Sequence, residues 1–129
     1  MLLAAADRSD PAHVSCRDLL ESHPGPLITT ELVVAETGWL LDRQLGPAAA
    51  AALYRSVADG DVVVERLSEA DWKRIADLTE QYADQHLGGV DAGLIAVAER
   101  LALTKIATLD RRYFGVVKPS HTKVITLIP

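Results

Sequence analysis

The stretch from Gly88 to Phe114 constrains the fold more than any other part of this 129-residue chain. After its two glycines, apolar residues recur at intervals of three and four, which predicts one face of a helix: Val90, Leu94, Val97, Ala98 and Leu101. A short apolar segment, residues 104–109, follows at once and predicts a strand. A helix that leads directly into a strand indicates an α/β layer fold.

Two acidic residues stand at the boundaries of these elements. Asp91 falls in the first turn of the helix, and Asp110 comes directly after the strand, where residues 111–114 are predicted to begin another helical turn. Ligands of open parallel sheets bind at the carboxyl ends of the strands. If both boundaries face that end, Asp91 and Asp110 share a divalent cation. Capping of a helix explains either acid equally well, so a third acid is needed.

Glu36 is the third acidic candidate. It lies in a helix predicted over residues 31–45 and capped by Thr30, three or four residues from apolar neighbours on both sides: Leu32, Val33, Trp39 and Leu40. Glu36 is therefore expected within or at the margin of the apolar face. A buried carboxylate is normally paired, protonated or bound to a metal. The alternative is an edge position, either paired with Arg43 or open to solvent.

The remaining pattern completes an alternation of helices and short strands. Further helices are predicted for residues 1–6, 11–22, 47–58 and 68–82, with Val14 and Trp72 inward in the second and the last of these. Further strands are predicted for 27–29, 62–64 and 123–128, and the β-branched run 62–64 is expected to be buried. Ser68 and Asp71 have the spacing of a capping box, and Cys16 is expected to be a small core residue. The prediction is a single α/β domain over residues 1–129, with a short parallel sheet flanked by helices.

Composition and charge exclude several classes of protein. No apolar run is long enough to cross a bilayer and there is no signal peptide, so a cytoplasmic protein is expected. A single cysteine excludes an internal disulfide. The net charge of −5 argues against non-specific nucleic-acid binding, yet residues 105–129 carry five cations and one acid. That local excess permits phosphate contacts by Arg111, Arg112, Lys118 and Lys123.

Four segments in order resemble a known family: TTELVVAETGWLL, GGVDAGLIAVAERL, KIATLDRRYF and a C-terminal KVITLIP. Their order and spacing are similar to those of PIN-domain ribonucleases and, more narrowly, of the VapC toxins of bacterial toxin–antitoxin pairs. The resemblance implies a three-layer PIN-like fold in which Glu36, Asp91 and Asp110 hold Mg²⁺ or Mn²⁺. The metal would activate water to hydrolyse a structured RNA such as tRNA or rRNA. The resemblance also implies a homodimer and a VapB-like antitoxin as partner.

The beginning of the chain departs from the family pattern. The family opens with an apolar strand that ends in an acidic residue, whereas this chain begins with Met1-Leu2-Leu3, at the helix that follows that strand. Asp7 does not match the family acid, because it falls after this helix. Three protein acids are therefore expected instead of four, in a sheet that lacks the first family strand. The natural start is expected to lie upstream.

Two other functions are open on sequence grounds. The first is a catalytically impaired PIN-like module that binds antitoxin or RNA, since one family acid is absent. The second is a response-regulator receiver domain, which is also acidic, of similar length and magnesium-binding. A receiver domain needs a phosphoacceptor Asp after its middle strand, where Glu65 and Arg66 stand, and a Lys at the end of a late strand, whereas Lys105 begins one.

Overall fold

A computed structural model of the chain describes residues 1–112, 114–122 and 125–129. These residues form two compact units, Met1–Glu65 with Pro129, and Arg66–Ile128. Each unit combines helices with one pair of parallel strands, which confirms the predicted α/β class with helices around short parallel strands. The single domain over residues 1–129 stays a prediction. No helix in the described part of the chain is long and apolar enough to cross a membrane.

The first unit consists of four helices and two strands: α1 Leu2–Ala6, α2 His13–Ser22, β1 Leu27–Thr30, α3 Glu31–Leu45, α4 Pro47–Asp59 and β2 Val62–Glu65. Strands β1 and β2 pair in parallel, with Leu27 opposite Val62. Helix α3 begins where predicted, because the Thr30 hydroxyl accepts a hydrogen bond from the Val33 N–H at 3.4 Å. A buried cluster of Leu41, Ala50 and Leu53 forms an apolar core, against which Leu2, Leu3 and Ala49 pack.

Three details of the first unit differ from the sequence-based expectation. Helix α2 begins at His13, two residues late, because the Asp10 carboxylate accepts from the Ala12 N–H at 2.7 Å and closes a turn there. Val14 was expected inward and is 66% exposed, whereas Cys16 on the same helix is fully buried, as expected. Strand β2 is buried at Val62 and exposed at the next residue, so it is not the fully buried strand that its composition predicted.

The second unit contains two long helices and two short strands: α5 Glu69–Gln81, a 3₁₀ turn Ala83–Gln85, α6 Gly89–Arg100, β3 Lys105–Ala107 and β4 Thr126–Ile128. Strands β3 and β4 pair in parallel, with Lys105 opposite Thr126. Strand β3 ends before Asp110, because the Thr108 hydroxyl accepts from the Asp110 N–H at 3.1 Å and turns the chain. The described residues from Arg112 to Val116 form a turn, so the helical turn predicted after Asp110 is not seen there. Tyr113 of that predicted turn, and Lys123 and Val124 of the predicted last strand, lie outside the described residues.

Helices α5 and α6 pack together and are joined by two ion pairs. Arg74 donates to both carboxylate oxygens of Glu99, at 2.8 and 2.9 Å. One turn earlier on α5, Asp71 accepts from Nε of Arg100 at 3.0 and 3.1 Å. Trp72 was expected inward but is 50% exposed, since Ile75 and Leu78 form the buried side of α5. The ion pairs and this apolar side together fix the register of the two helices.

The carboxylate of Asp71 closes the predicted capping box and is almost completely buried. Its Oδ2 accepts from the Ser68 N–H and from the Ser68 hydroxyl, both at 2.8 Å. Burial raises the pKa of Asp71, but the hydrogen bonds from Ser68 and Arg100 outweigh this and hold the pKa below its usual value. Asp71 therefore stabilises the fold above the unfolded-state pKa of about 3.9, and this contribution is lost as the pH falls through the folded-state pKa.

We expect Asp71→Asn to lower the free energy of unfolding by about 1 to 2 kcal/mol at neutral pH, since it removes a hydrogen-bonded charge. The difference from the wild type should begin to shrink below about pH 4, where the unfolded-state carboxylate takes up a proton, and should vanish below the lower folded-state pKa. Denaturant unfolding over a pH series measures both effects. Glu69→Gln, which alters an exposed first-turn acid of the same helix, is the matched control and should change stability by less than about 0.5 kcal/mol. If Asp71→Asn lowered the free energy of unfolding equally at every pH, the stabilisation would not come from the charge of Asp71.

Helix α6 ends in a Schellman motif that is built on alanine. The Leu103 N–H donates to the Ala98 carbonyl at 2.8 Å, and the Ala102 N–H donates to the Glu99 carbonyl at 3.2 Å. This geometry places Ala102 in the left-handed region, at φ +54°. Glycine is the usual residue there, because it has no Cβ to crowd the following carbonyl.

Ala102→Gly should therefore raise the free energy of unfolding by up to about 1 kcal/mol, as measured by denaturant unfolding. Ala76→Gly is the matched control, since Ala76 is exposed in the middle of α5. There the same exchange should destabilise the protein by about 1 kcal/mol. Destabilisation by both variants would show that the left-handed conformation at Ala102 is not a source of strain.

Candidate active site

Asp91 lies in the first turn of α6, as the sequence predicted. The helix begins after Gly88, whose extended backbone turns the chain into it. Asp91 is half-buried, and a carboxylate in this position stabilises the helix by its interaction with the N-terminal end of the helix dipole. The placement is compatible with both a structural and a metal-binding role.

Asp110 is half-buried and bound by the side chain of Arg112. Nε of Arg112 lies 2.9 Å from Oδ1 and 3.2 Å from Oδ2, and Nη2 lies 2.5 Å from Oδ2. The backbone N–H of Arg112 also donates to Oδ1, at 3.0 Å. The hydrogen bonds from Arg112 lower the pKa of Asp110, against a smaller opposing effect of burial. Asp110 is therefore held as an anion with both oxygens in use.

Glu36 is exposed on α3, which agrees with the alternative of a position open to solvent and not with burial within the apolar face. The buried residues of α3 are Thr37, Gly38 and Leu41. Gly38 packs closely against α4, because a Cβ there would lie 2.2 Å from the Tyr54 hydroxyl and the Tyr54 side chain would have to move. Trp39 is 57% exposed, and the guanidinium of Arg43 covers its ring at 5.0 Å from the centroid. Arg43 thus contacts Trp39, not the carboxylate of Glu36.

The three candidate acids are distributed over the two units. Glu36 belongs to the first, and Asp91 and Asp110 belong to the second. Among the described residues, no three or more His, Cys, Asp or Glu side chains are arranged to hold a metal ion. The carboxylates of Glu36, Asp91 and Asp110 nevertheless have the donor chemistry of the expected cation, since carboxylate oxygens are the protein ligands that Mg²⁺ prefers. The three-acid metal site stays a prediction.

The candidate phosphate contacts lie in the second unit. Arg111, Arg112 and Lys118 are exposed, and Lys123 lies outside the described residues. Lys118 is fixed through its backbone, because its N–H donates to the Tyr82 hydroxyl at 3.1 Å. Its position relative to the helices is therefore set by tertiary contacts that no sequence spacing indicated.

Residues 118–121 are held by two more contacts after Lys118. The Ser120 N–H donates to Oε1 of Glu99 at 2.8 Å, and Nε2 of His121 lies 2.6 Å from the Leu103 carbonyl. Burial raises the pKa of Glu99, but hydrogen bonds from Arg74 and Ser120 outweigh it and lower the pKa below its usual value. Glu99 thus links α5, α6 and the segment that carries Lys118.

We expect Glu99→Gln to speed amide hydrogen exchange at Ser120 by about tenfold, because the amide loses a charged acceptor worth roughly 1.4 kcal/mol. Hydrogen exchange followed by NMR measures this. Tyr82→Phe is the control, since it removes the acceptor of the Lys118 amide and leaves that of Ser120. Unchanged exchange at Ser120 in Glu99→Gln would show that Glu99 does not fix this segment.

The first unit contains a cavity of about 580 Å³ whose lining is largely apolar. Side chains from α1, α2, α3 and α4 surround it together with Leu27 and Val62 of the strands. Glu36 is not part of the lining, and three lining residues, Leu2, Leu41 and Leu53, belong to the apolar core. The cavity is therefore an opening in the packing of the first unit.

Comparison with known proteins identifies the family. The model of the PIN domain matches residues 1–118. The chain therefore belongs to the PIN-domain family, which confirms the resemblance and the fold expected from it. The interpretation as a receiver domain is wrong.

The similar proteins place the chain among the VapC-type members of that family. Ribonuclease VapC26 of Mycobacterium tuberculosis is 31% identical over 128 residues, which cover 99% of this chain and 95% of that protein. The crystal structure of Mycobacterium tuberculosis VapC20, described as a sarcin–ricin loop cleaving toxin, has a TM-score of 0.82 at 22% identity. That match covers 94% of this chain and 92% of the other and supports the fold.

Proposed function

We propose that this protein is a Mg²⁺-dependent endoribonuclease and the toxin of a type II toxin–antitoxin pair. The observation that carries the proposal is the match to the PIN domain along residues 1–118, in which an acid stands at the start of α6 and another follows β3. The 31% identity to a protein named as a ribonuclease supports the activity. The reaction is hydrolysis, in which water adds to phosphorus and one P–O ester bond of the RNA breaks.

Glu36, Asp91 and Asp110 are the residues that would hold the divalent cation, Mg²⁺ or Mn²⁺. When bound, such a cation lowers the pKa of a water molecule and offsets charge on the phosphoryl oxygens. Asp110 suits the role of ligand by its chemistry, because a carboxylate supplies the oxygen donors that Mg²⁺ prefers. Asp91 lies in the first turn of α6, so the helix determines its backbone conformation.

The charge distribution supports a place for the RNA backbone on the second unit. This unit carries nine of the 13 Lys and Arg residues, whereas the first unit carries ten of the 18 acids. Arg111, Arg112 and Lys118 are the proposed contacts to phosphate groups. Contact by these cations would hold a backbone phosphate beside Asp110, which is the position that hydrolysis needs.

The same family relationship supports proposals for the partners and the location. We propose a structured RNA, tRNA or rRNA, as substrate, in keeping with the similar toxin VapC20, which cleaves the sarcin–ricin loop. We propose a VapB-like antitoxin as the inhibitory partner, a homodimer as the assembly and the cytoplasm as the location, where tRNA and ribosomes lie.

One observation favours the alternative of a catalytically impaired module that binds antitoxin or RNA. Both oxygens of Asp110 are engaged by Arg112, so the metal and the guanidinium compete for the same carboxylate. If the guanidinium is not displaced, the fold and its surfaces persist while cleavage is lost. The two functions are distinguished by activity with added Mg²⁺.

We expect this chain to cleave tRNA or rRNA with Mg²⁺ and to lose more than about a hundredfold of that rate in Asp91→Asn, Asp110→Asn and Glu36→Gln. The reason is that even outer partners of a metal ligand are worth 10- to 100-fold. Gel analysis of RNA products measures the rate. Glu80→Gln, which neutralises an exposed acid of α5, is the control and should cleave like the wild type.

Two results would overturn the proposed metal-dependent mechanism. Equal cleavage by Asp91→Asn and the wild type would exclude the metal site, and EDTA-resistant cleavage would exclude the cation. Retained RNA binding without cleavage at any Mg²⁺ or Mn²⁺ concentration would establish the impaired module.

A further inference from the structure

The guanidinium of Arg112 binds the carboxylate of Asp110, which is one of the proposed metal ligands. The two residues are separated by one position, and the guanidinium reaches both carboxylate oxygens through Nε and Nη2. A metal ion binds through a carboxylate lone pair that no proton donor occupies. While the fork of Arg112 is in place, its positive charge and its hydrogen bonds to both oxygens weaken the attraction of Asp110 for a cation.

We infer that Arg112 controls the access of the divalent cation to Asp110 and that an RNA phosphate releases Asp110 by taking the guanidinium as its own partner. This inference rests on the proposed function and adds an order of events. RNA contacts Arg112 first, and the release of Asp110 then favours metal binding. The guanidinium fits both partners, because its planar fork binds carboxylate and phosphate with the same bidentate geometry.

The exposure of the pair makes the exchange energetically accessible. The Arg112 side chain is 75% exposed and that of Asp110 is 32% exposed. Ion pairs in such positions change an equilibrium constant by about fivefold or less. A phosphate group in contact with Arg112 can therefore displace Asp110 without disruption of the fold.

The backbone contact of Arg112 persists after its side chain leaves. Its N–H donates to Oδ1 of Asp110 at 3.0 Å and depends on the turn, not on the guanidinium. When the side chain leaves, Oδ2 loses its contacts with Arg112 and can bind a cation, while Oδ1 keeps the backbone hydrogen bond that orients the carboxylate. Arg112 is on these grounds a positioning residue that couples RNA contact to metal binding.

Mg²⁺ titration calorimetry of the full chain without RNA tests the first half of the inference. We expect about threefold tighter binding in Arg112→Ala than in the wild type. Arg112→Lys keeps the charge and loses the fork, so its affinity should lie between the two. In the Asp110→Asn background, Arg112→Ala should add no further increase, because the competition for the carboxylate is gone.

NMR of the metal-free protein tests the second half. A single-stranded DNA oligonucleotide serves as the phosphate probe, and the Arg112 Nε and Asp110 carboxyl carbon signals are followed. Both signals should shift together as Asp110 loses its partner. A shift at Arg112 with a constant Asp110 signal would overturn the release by phosphate.

The outcomes separate this inference from the nuclease itself. If Asp110→Asn weakens Mg²⁺ binding and Arg112→Ala leaves it unchanged, control by Arg112 is overturned and the metal site stands. If neither Asp110→Asn nor Asp91→Asn alters Mg²⁺ binding, the proposed metal site is overturned, and control by Arg112 with it.

Discussion

The pairing of α5 with α6 is the interaction on which the second unit depends. Helix α6 has six buried residues, so it is enclosed on most sides, and small residues such as Ala92, Gly93 and Ala96 let its neighbours approach closely. The ion pairs Arg74–Glu99 and Asp71–Arg100 fix the register at its C-terminal end. Because α6 is fixed in this way, Asp91 is held in its first turn, and the segment with Lys118 is attached to the same helices.

The ion pairs that join α5 and α6 differ in exposure from the ion pair at the candidate metal ligand Asp110. The ion pairs between α5 and α6 are shielded on the carboxylate side, and their acids have lowered pKa values because hydrogen bonds outweigh burial. The pair of Asp110 with Arg112 is more exposed and lies within a turn, so it can open at small cost. The shielded ion pairs thus stabilise the framework, whereas in the exposed pair, under the proposed function, a metal would bind Asp110 and a phosphate would bind Arg112.

Local rules were reliable where neighbouring residues decide the structure. The bounds of α3 followed from the Thr30 cap and the Gly46-Pro47 boundary, and the capping box at Ser68 formed as predicted. The same rules misplaced the buried sides of three helices, as the exposure of Val14, Trp39 and Trp72 shows. Periodicity identifies an apolar stripe, but the packing partner decides which part of it is buried, and for α3 that partner meets the helix at Gly38.

By itself the sequence determined the α/β class, the order of elements, the PIN-domain family and the placement of Asp91 and Asp110 at element boundaries, because these depend on local propensity and on motif order. Only the tertiary structure decided that Glu36 is exposed on α3, where Thr37, Gly38 and Leu41 are the buried residues. It also decided that Glu99 and Tyr82 hold residues 118–121. The contacts of Glu99 and Tyr82 join residues more than twenty positions apart, so no local pattern records them.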